Sequence, residues 1–161
     1  TRHYTQKEYP FIFTNGVQAS YVEVDPDTGF VKLLKHWAVE DCGRVLNPML
    51  VDEQVRGAIV QGIGGVLFEE CIYDESGLLR NGSMADYLVP MANEMPDIEV
   101  AHVETPTQSS KLGAKGAGEA GTAGAPGAVQ NAINDALAPF NTAVFDQPIT
   151  CEKILKALGK V

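Results

Sequence analysis

An α+β fold, made of hairpins and helices around a glycine-rich loop, is predicted by three features of this sequence. An alternating, β-branched stretch lies near the N-terminus. Apolar residues recur at helical spacing in two later runs. Strands and helices are mixed without the regular alternation of a βαβ series.

The first strand is read over Val17–Val24, where the residues alternate and end in β-formers. Asp25-Pro-Asp-Thr-Gly29 is a turn cluster, and the chain resumes as a second strand over Phe30–Val39, completing a hairpin. Asn47 is placed to cap a helix whose first position is Pro48, with Asp52 and Glu53 near its positive end. That helix is expected to reach about Glu70, because Val51, Val55, Ile59, Ile63 and Val66/Leu67 repeat on one face. A second stripe on it is small: Gly57, Gln61 and Gly64/Gly65. Each glycine costs about 1 kcal/mol against alanine in a helix, so several on one face imply that something packs very close to it. Gln61 is the one side chain in that stripe with amide donors and an acceptor; it reads equally as a solvated residue beside a helix contact.

Tyr73-Asp-Glu-Ser-Gly77 is a further turn, and short strands are expected around Ala85–Val89 and Ile98–Val103. A second helix is read from Ala128 to about Leu137, opened by Gly124 or Ala125 with Pro126 in its first turn and closed by Pro139. Thr150 is a plausible cap for a short amphipathic helix running to Leu158.

Composition narrows the function classes. The chain has 161 residues, 45% of them hydrophobic and 20% charged, enough for one domain or part of a larger one with a real core. Its net charge of −9 disfavours nucleic acid as a partner, which needs a basic face. No apolar run approaches the ~20 residues of a membrane span, and Thr1-Arg2-His3-Tyr4 leads into ordinary sequence with no leader. Cys42, Cys71 and Cys151 are distant and odd in number, which points to free thiols in a reducing cytoplasm rather than a disulfide framework or a zinc site. His36 and Trp37 are read as packing residues, and His3 and His102 lack metal-ligand spacing.

Six of the sixteen glycines fall between Gly113 and Gly127, interleaved with five alanines; the only charges there are Lys115 and Glu119. Gly116-Ala-Gly118-Glu-Ala-Gly121 matches a G-x-G-x-x-G fingerprint, the mark of a Rossmann-type NAD-binding protein. Its context argues against that reading, because Gln108-Ser-Ser-Lys-Leu-Gly113 is too polar for the buried strand the fingerprint requires. The alternative is a loop that wraps a bulky cofactor and offers it one carboxylate. Burial would disfavour the charged form of such a group and make it a better base. A solvated glutamate in a flexible loop stands beside that reading.

Four ordered motifs carry a resemblance: Val22-Glu-Val-Asp-Pro-Asp-Thr-Gly29, Asp41-Cys-Gly-Arg-Val-Leu-Asn-Pro48, Gly57-Ala-Ile-Val-Gln-Gly-Ile-Gly64 and Lys115-Gly-Ala-Gly-Glu-Ala-Gly121. Together they resemble the C-terminal part of the molybdenum-binding large subunit of the xanthine dehydrogenase/aldehyde oxidase family, the molybdenum hydroxylases. The Gly-Glu-Ala-Gly form is most similar to the carbon-monoxide-dehydrogenase type. The resemblance runs from about Gly16 to Leu158.

It implies that residues 1–161 are a C-terminal segment of a molybdopterin-binding domain, incomplete alone and inactive without the rest. It implies an enzyme that oxidises a carbon centre with water-derived oxygen, in which Glu119 is the general base at a Mo–OH. Gln61 matches a glutamine that hydrogen-bonds the pterin, and Lys115, Gly116, Ala117 and Gly118 match backbone contacts to the cofactor. That cofactor is, by resemblance, molybdopterin cytosine dinucleotide, shared with the missing part of the large subunit. [2Fe-2S] clusters and FAD are expected on partner chains or domains, in a cytoplasmic oligomer acting on a small-molecule substrate. The family's large subunit is several times longer; its upstream region holds further pterin contacts and the loop that largely sets substrate choice. None of the three cysteines matches the copper-binding cysteine of carbon monoxide dehydrogenase. A non-catalytic assembly module of the same fold is the other reading that these residues admit.

Overall fold

The computed structural model describes residues 1–3 and 11–161; Tyr4, the last residue of the stretch read for a leader, lies outside them. The expected hairpin is present. Strand β1 (Asn15–Val24) pairs antiparallel with β2 (Val31–Asp41), from Asn15 opposite Asp41 to Val24 opposite Val31, with a register irregularity between Tyr21 and Val22. The turn between them closes through Gly29 N–H to Asp25 C=O at 2.8 Å. Strand β3 (Ile98–His102) lies parallel to β2 on its other side, so the sheet runs β1-β2-β3.

The crossover from β2 to β3 contains helix α1 (Pro48–Leu67). Asn47 caps it as expected, its side-chain oxygen accepting from Leu50 N–H at 3.3 Å, with Pro48 in the first turn. Val55, Ile59, Ile63 and Val66 are fully buried, so the stripe read from the sequence is its core face. Two details differ. The helix ends at Leu67 rather than Glu70, and Asp52 and Glu53 lie beyond its first turn, where the helix dipole acts weakly. Asp52 instead meets His102 at the end of β3, its Oδ1 2.6 Å from the ring Nε2.

Helix α2 (Ala120–Leu137) starts immediately after Glu119, ahead of the opening at Gly124 or Ala125 that the sequence predicts. Pro126 therefore sits inside it rather than in its first turn. The reason is tertiary. Gly121 and Ala125 are buried against α1, and Thr122 Oγ1 donates to Ala58 C=O at 2.9 Å, so packing overrides the weak helix propensity of glycine and proline. Helix α3 (Cys151–Ala157) is capped by Thr150, which accepts from Lys153 N–H at 3.3 Å. The strand expected over Ala85–Val89 is absent. Asp86 and Tyr87 N–H groups turn back onto Ser83 C=O at 3.0 and 2.8 Å, satisfying locally the groups a strand would offer to a neighbour.

One core joins these pieces. Leu33, Ala38 and Ile98 from the sheet meet Ile59 and Ile63 of α1, Val129 and Ile133 of α2, and Ile154 of α3. The architecture is α+β: helices α1 and α2 pack side by side, and α2 also packs along β1. Among the described residues, no helix is long and apolar enough to cross a membrane.

Candidate functional site

A groove of about 570 Å³ lies between β1 and the start of α2. Thr14, Asn15, Gly16 and Gln18 come from the β1 side, Glu40 from β2, and Gly116, Gly118, Glu119, Ala120, Ala123 and Gly124 from the glycine-rich segment. Three of the expected site residues, Gly116, Gly118 and Glu119, are thus brought together.

Glu119 occupies the position just before α2. Its side chain is exposed and makes no hydrogen bond with any described residue. The burial expected of a base is therefore not supplied by the described residues. What the chain does supply is position, because the loop on one side and the helix on the other are both tied down.

The loop is tied to the end of β2. Arg44 N–H and Thr107 N–H donate to Gly113 C=O at 3.0 and 3.1 Å, and Lys115 N–H donates to Cys42 C=O at 2.7 Å. The Lys115 ammonium reaches inward to Asp41 Oδ2 at 3.0 Å and Thr105 Oγ1 at 2.6 Å. Bonds from the Thr105 hydroxyl and N–H, then from Gly43 N–H and Lys115, hold the Asp41 carboxyl well below the usual carboxylate range. Lys115 departs in part from expectation: its N–H and its ammonium are both engaged within the chain, so it anchors the loop. Beyond it Gly118 C=O accepts from Gln54 Nε2 at 2.9 Å, which links the loop to α1.

On the other side lies a buried polar network that the sequence reading missed. His36 is completely buried on β2, and burial pushes its pKa down to about 4. Ser20 Oγ lies 2.8 Å from Nδ1, and Gln18 Oε1 lies 3.1 Å from Nε2. The Gln18 amide nitrogen donates onward to Glu40 Oε1 at 3.1 Å and to Gly121 C=O at 2.9 Å. Glu40 is only 2% exposed, and its burial raises its pKa against the opposing Gln18 bond. The alternation of β1 and β2 places Gln18, Ser20, His36 and Glu40 within reach, but Gly121 is 103 positions from Gln18. No local pattern signals that contact.

Gln61 lies outside the groove, on an exposed face of α1 about two turns beyond Gln54. Its amide has no partner among the described residues. Gly57 and Gly65 flank it by one turn each, and a Cβ added at either would meet nothing within 4 Å. Of the stripe, Gly64 alone is closely packed: it is buried, and an added Cβ would run into the Glu69 carboxylate and stand 3.1 Å from Pro90 Cδ. At Gly62 an added Cβ would stand 2.9 Å from both Ala125 Cβ and Thr122 O, so the tight seam with α2 runs through Gly62. Gly57, Gln61 and Gly65 form a bare face, and Gly116 and Gly118 are equally bare. A surface cleared of side chains next to a free amide fits a large planar cofactor with polar edges. No cluster that could hold a metal ion directly exists among the described residues.

Comparison with known proteins places the chain in a family. Residues 1–96 match the family model described as the molybdopterin cofactor-binding domain. The chain is 48% identical over 146 residues to the nicotine 6-hydroxylase large subunit of Paenarthrobacter nicotinovorans, covering 91% of this chain and 18% of that protein. It is 34% identical over 140 residues to the carbon monoxide dehydrogenase large chain of Afipia carboxidovorans, covering 87% and 17%. Its fold superposes on quinoline 2-oxidoreductase from Pseudomonas putida 86 with a TM-score of 0.88 at 43% identity, over 91% of this chain and 19% of that one. The chain thus spans less than a fifth of the length of these relatives. The motifs, the mixed fold and the match over residues 1–96 agree: the chain belongs to the molybdopterin cofactor-binding domain family of the molybdenum hydroxylases.

Proposed function

We propose that residues 1–161 form the C-terminal segment of a molybdenum cofactor-binding domain in a molybdenum hydroxylase or dehydrogenase large subunit, and that Glu119 is its general base. The observation that carries this reading is the placement of Glu119 in the lining of the groove, its carboxylate without a hydrogen bond among the described residues, between a loop pinned through Lys115 and a helix packed on α1. Gln61 and the backbone of Gly116, Ala117 and Gly118 would hold the pterin; Gly57 and Gly65 beside Gln61, and Gly116 and Gly118 in the loop, leave both places clear of side chains. Lys115 acts there as the loop's anchor. When bound, the cofactor supplies the redox chemistry by which a carbon centre gains water-derived oxygen. The protein's part is to position the group and accept a proton at Glu119.

The cytosine dinucleotide form of the cofactor, and transfer of electrons through [2Fe-2S] clusters to FAD on partner chains, complete the proposal. The working unit is then a cytoplasmic oligomer that includes the rest of the large subunit, with a small molecule as substrate. The segment alone presents one wall of the site and is inactive.

Glu119→Gln in the full-length, cofactor-loaded enzyme tests the assignment. A lost general base lowers turnover by about 10²–10⁴-fold while molybdenum content stays near the parent's. Parent-like turnover would leave the segment as a non-catalytic assembly module. The NAD alternative meets a structural objection, since no strand precedes the glycines between His102 and Glu119.

A further inference from the structure

We infer that Gln18 is a positioning residue for Glu119, acting through the first turn of α2; the inference rests on the reading of Glu119 as the base. Gln18 lines the groove from β1, and its amide is engaged through both its nitrogen and its oxygen. Both groups that face its nitrogen, Glu40 Oε1 at 3.1 Å and Gly121 C=O at 2.9 Å, are oxygens, so the nitrogen must point to them. The amide oxygen then faces His36 and accepts from Nε2–H at 3.1 Å. That assigns the neutral ring its proton at Nε2 and leaves Nδ1 to accept from Ser20 Oγ at 2.8 Å. Every member of the chain Ser20–His36–Gln18–Glu40 therefore has one orientation available.

The end of this chain is Gly121, two residues after Glu119. Glu119 makes no side-chain cap bond among the described residues, and Gln18 supplies a link from the sheet to that turn. The opposite side of the amide is equally confined. A Cβ added at Gly124, one turn along α2, would stand 2.8 Å from Gln18 Cδ and 2.9 Å from Nε2. Gly124 thus leaves the room that lets the amide lie flat against the helix. A well-satisfied buried network of this kind selects a single geometry, and a base displaced by about 1 Å loses up to about a hundredfold in rate.

The test uses the full-length large subunit in its cofactor-loaded enzyme, with kcat expressed per bound molybdenum. Gln18→Leu removes both donated bonds. Gly124→Ala displaces the amide from the other side while raising helix propensity, so it keeps the fold if Gln18→Leu does not. Each is expected to lower kcat by about ten- to a hundredfold with KM unchanged, the signature of lost transition-state alignment rather than lost binding. Glu119→Gln is measured alongside. If it is inactive while Gly124→Ala keeps a parent-like kcat, the positioning role is overturned and the base stands. If Glu119→Gln turns over like the parent, the base falls and the positioning role falls with it. A loss confined to molybdenum content, with kcat per molybdenum intact, also overturns the positioning role.

Discussion

Replacing Gly57 and Gly65 by alanine should stabilise the chain and at the same time weaken its hold on the cofactor. Both residues are inside α1, where each glycine costs about 1 kcal/mol relative to alanine. At neither position would the new methyl meet an atom within 4 Å, so nothing offsets the gain. The two sites are eight residues apart, roughly 12 Å along the helix, so their effects should add to about 2 kcal/mol. Gly62→Ala is the contrasting case on the same helix. Its methyl would stand 2.9 Å from Ala125 Cβ and 2.9 Å from Thr122 O, with Pro126 Cδ at 3.1 Å. Overpacking of that order costs about 1–3 kcal/mol, which cancels or exceeds the propensity gain.

Urea unfolding of the 161-residue chain, followed by helical circular dichroism, separates these outcomes. With a slope of about 1–3 kcal/mol/M, the double variant should raise the midpoint by about 1 M, and Gly62→Ala should leave it unchanged or lower it. In the full-length subunit the double variant should reduce bound molybdenum, because two methyls then occupy the face proposed to meet the cofactor. Two results would refute the reasoning. If Gly62→Ala stabilises as much as Gly57→Ala, the α1–α2 seam has been misplaced. If the double variant retains full molybdenum content, the bare face has no part in binding the cofactor.

Loss of the loop's anchor should be visible without any turnover. Lys115→Met removes the ammonium from Asp41 and Thr105, and the amides of Arg44, Thr107 and Lys115 that pin the loop should exchange with solvent faster, while exchange in α3 is unchanged. Equal protection in both proteins would show that the main-chain bonds suffice. Buried His36 gives a pH dependence of definite sign. Its folded pKa of about 4 lies below the ordinary 6.5, so between these values the unfolded chain binds more protons and stability falls as pH falls. The loss is at most about 3 kcal/mol and is complete near pH 4. Glu40, whose pKa is raised, works against it, since a group that binds protons better when folded stabilises toward low pH. Urea midpoints between pH 7 and pH 4 should therefore drop in the parent and flatten in His36→Gln; parallel slopes would remove His36 as the cause.

What was legible in the sequence was whatever a short stretch specifies for itself. The Asn47–Pro48 cap, the Val55–Ile59–Ile63 face and the Thr150 cap each depend on residues within a turn or two, and each is found in place. Helix α2 was read late because its first turns are glycine and alanine with an internal proline, a composition that helix propensity disfavours. Only the seam with α1, at Gly121, Thr122 and Ala125, makes those residues helical. The small-residue stripe on α1 is legible in the sequence as a face that something packs close against. In the fold it divides into a packed position at Gly64, against Glu69 and Pro90, and a bare face at Gly57, Gln61 and Gly65, while the seam with α2 runs through Gly62 beside it. Glu119 stood out because it is the one carboxylate in its segment. Gln18 gave no signal at all, since it alternates like any strand residue and its decisive contact lies 103 positions away.

Position and burial of Glu119 come from different parts of the enzyme under this reading. On one side, Asp41, Thr105 and Lys115 fix the loop. On the other, Gln18 and the α1 seam fix the helix, and none of these groups covers the carboxylate itself. A base exposed to bulk water would exchange its proton with solvent as readily as with substrate, so under this reading closure is contributed by residues other than the described ones. Variants within this chain should then alter rate by displacing the base while leaving substrate affinity intact. Variants in the covering portion should alter affinity and solvent access together. The separation follows from where the side chains lie: the described contacts around Glu119 tie down its loop and its helix, and the carboxylate itself is left open among the described residues.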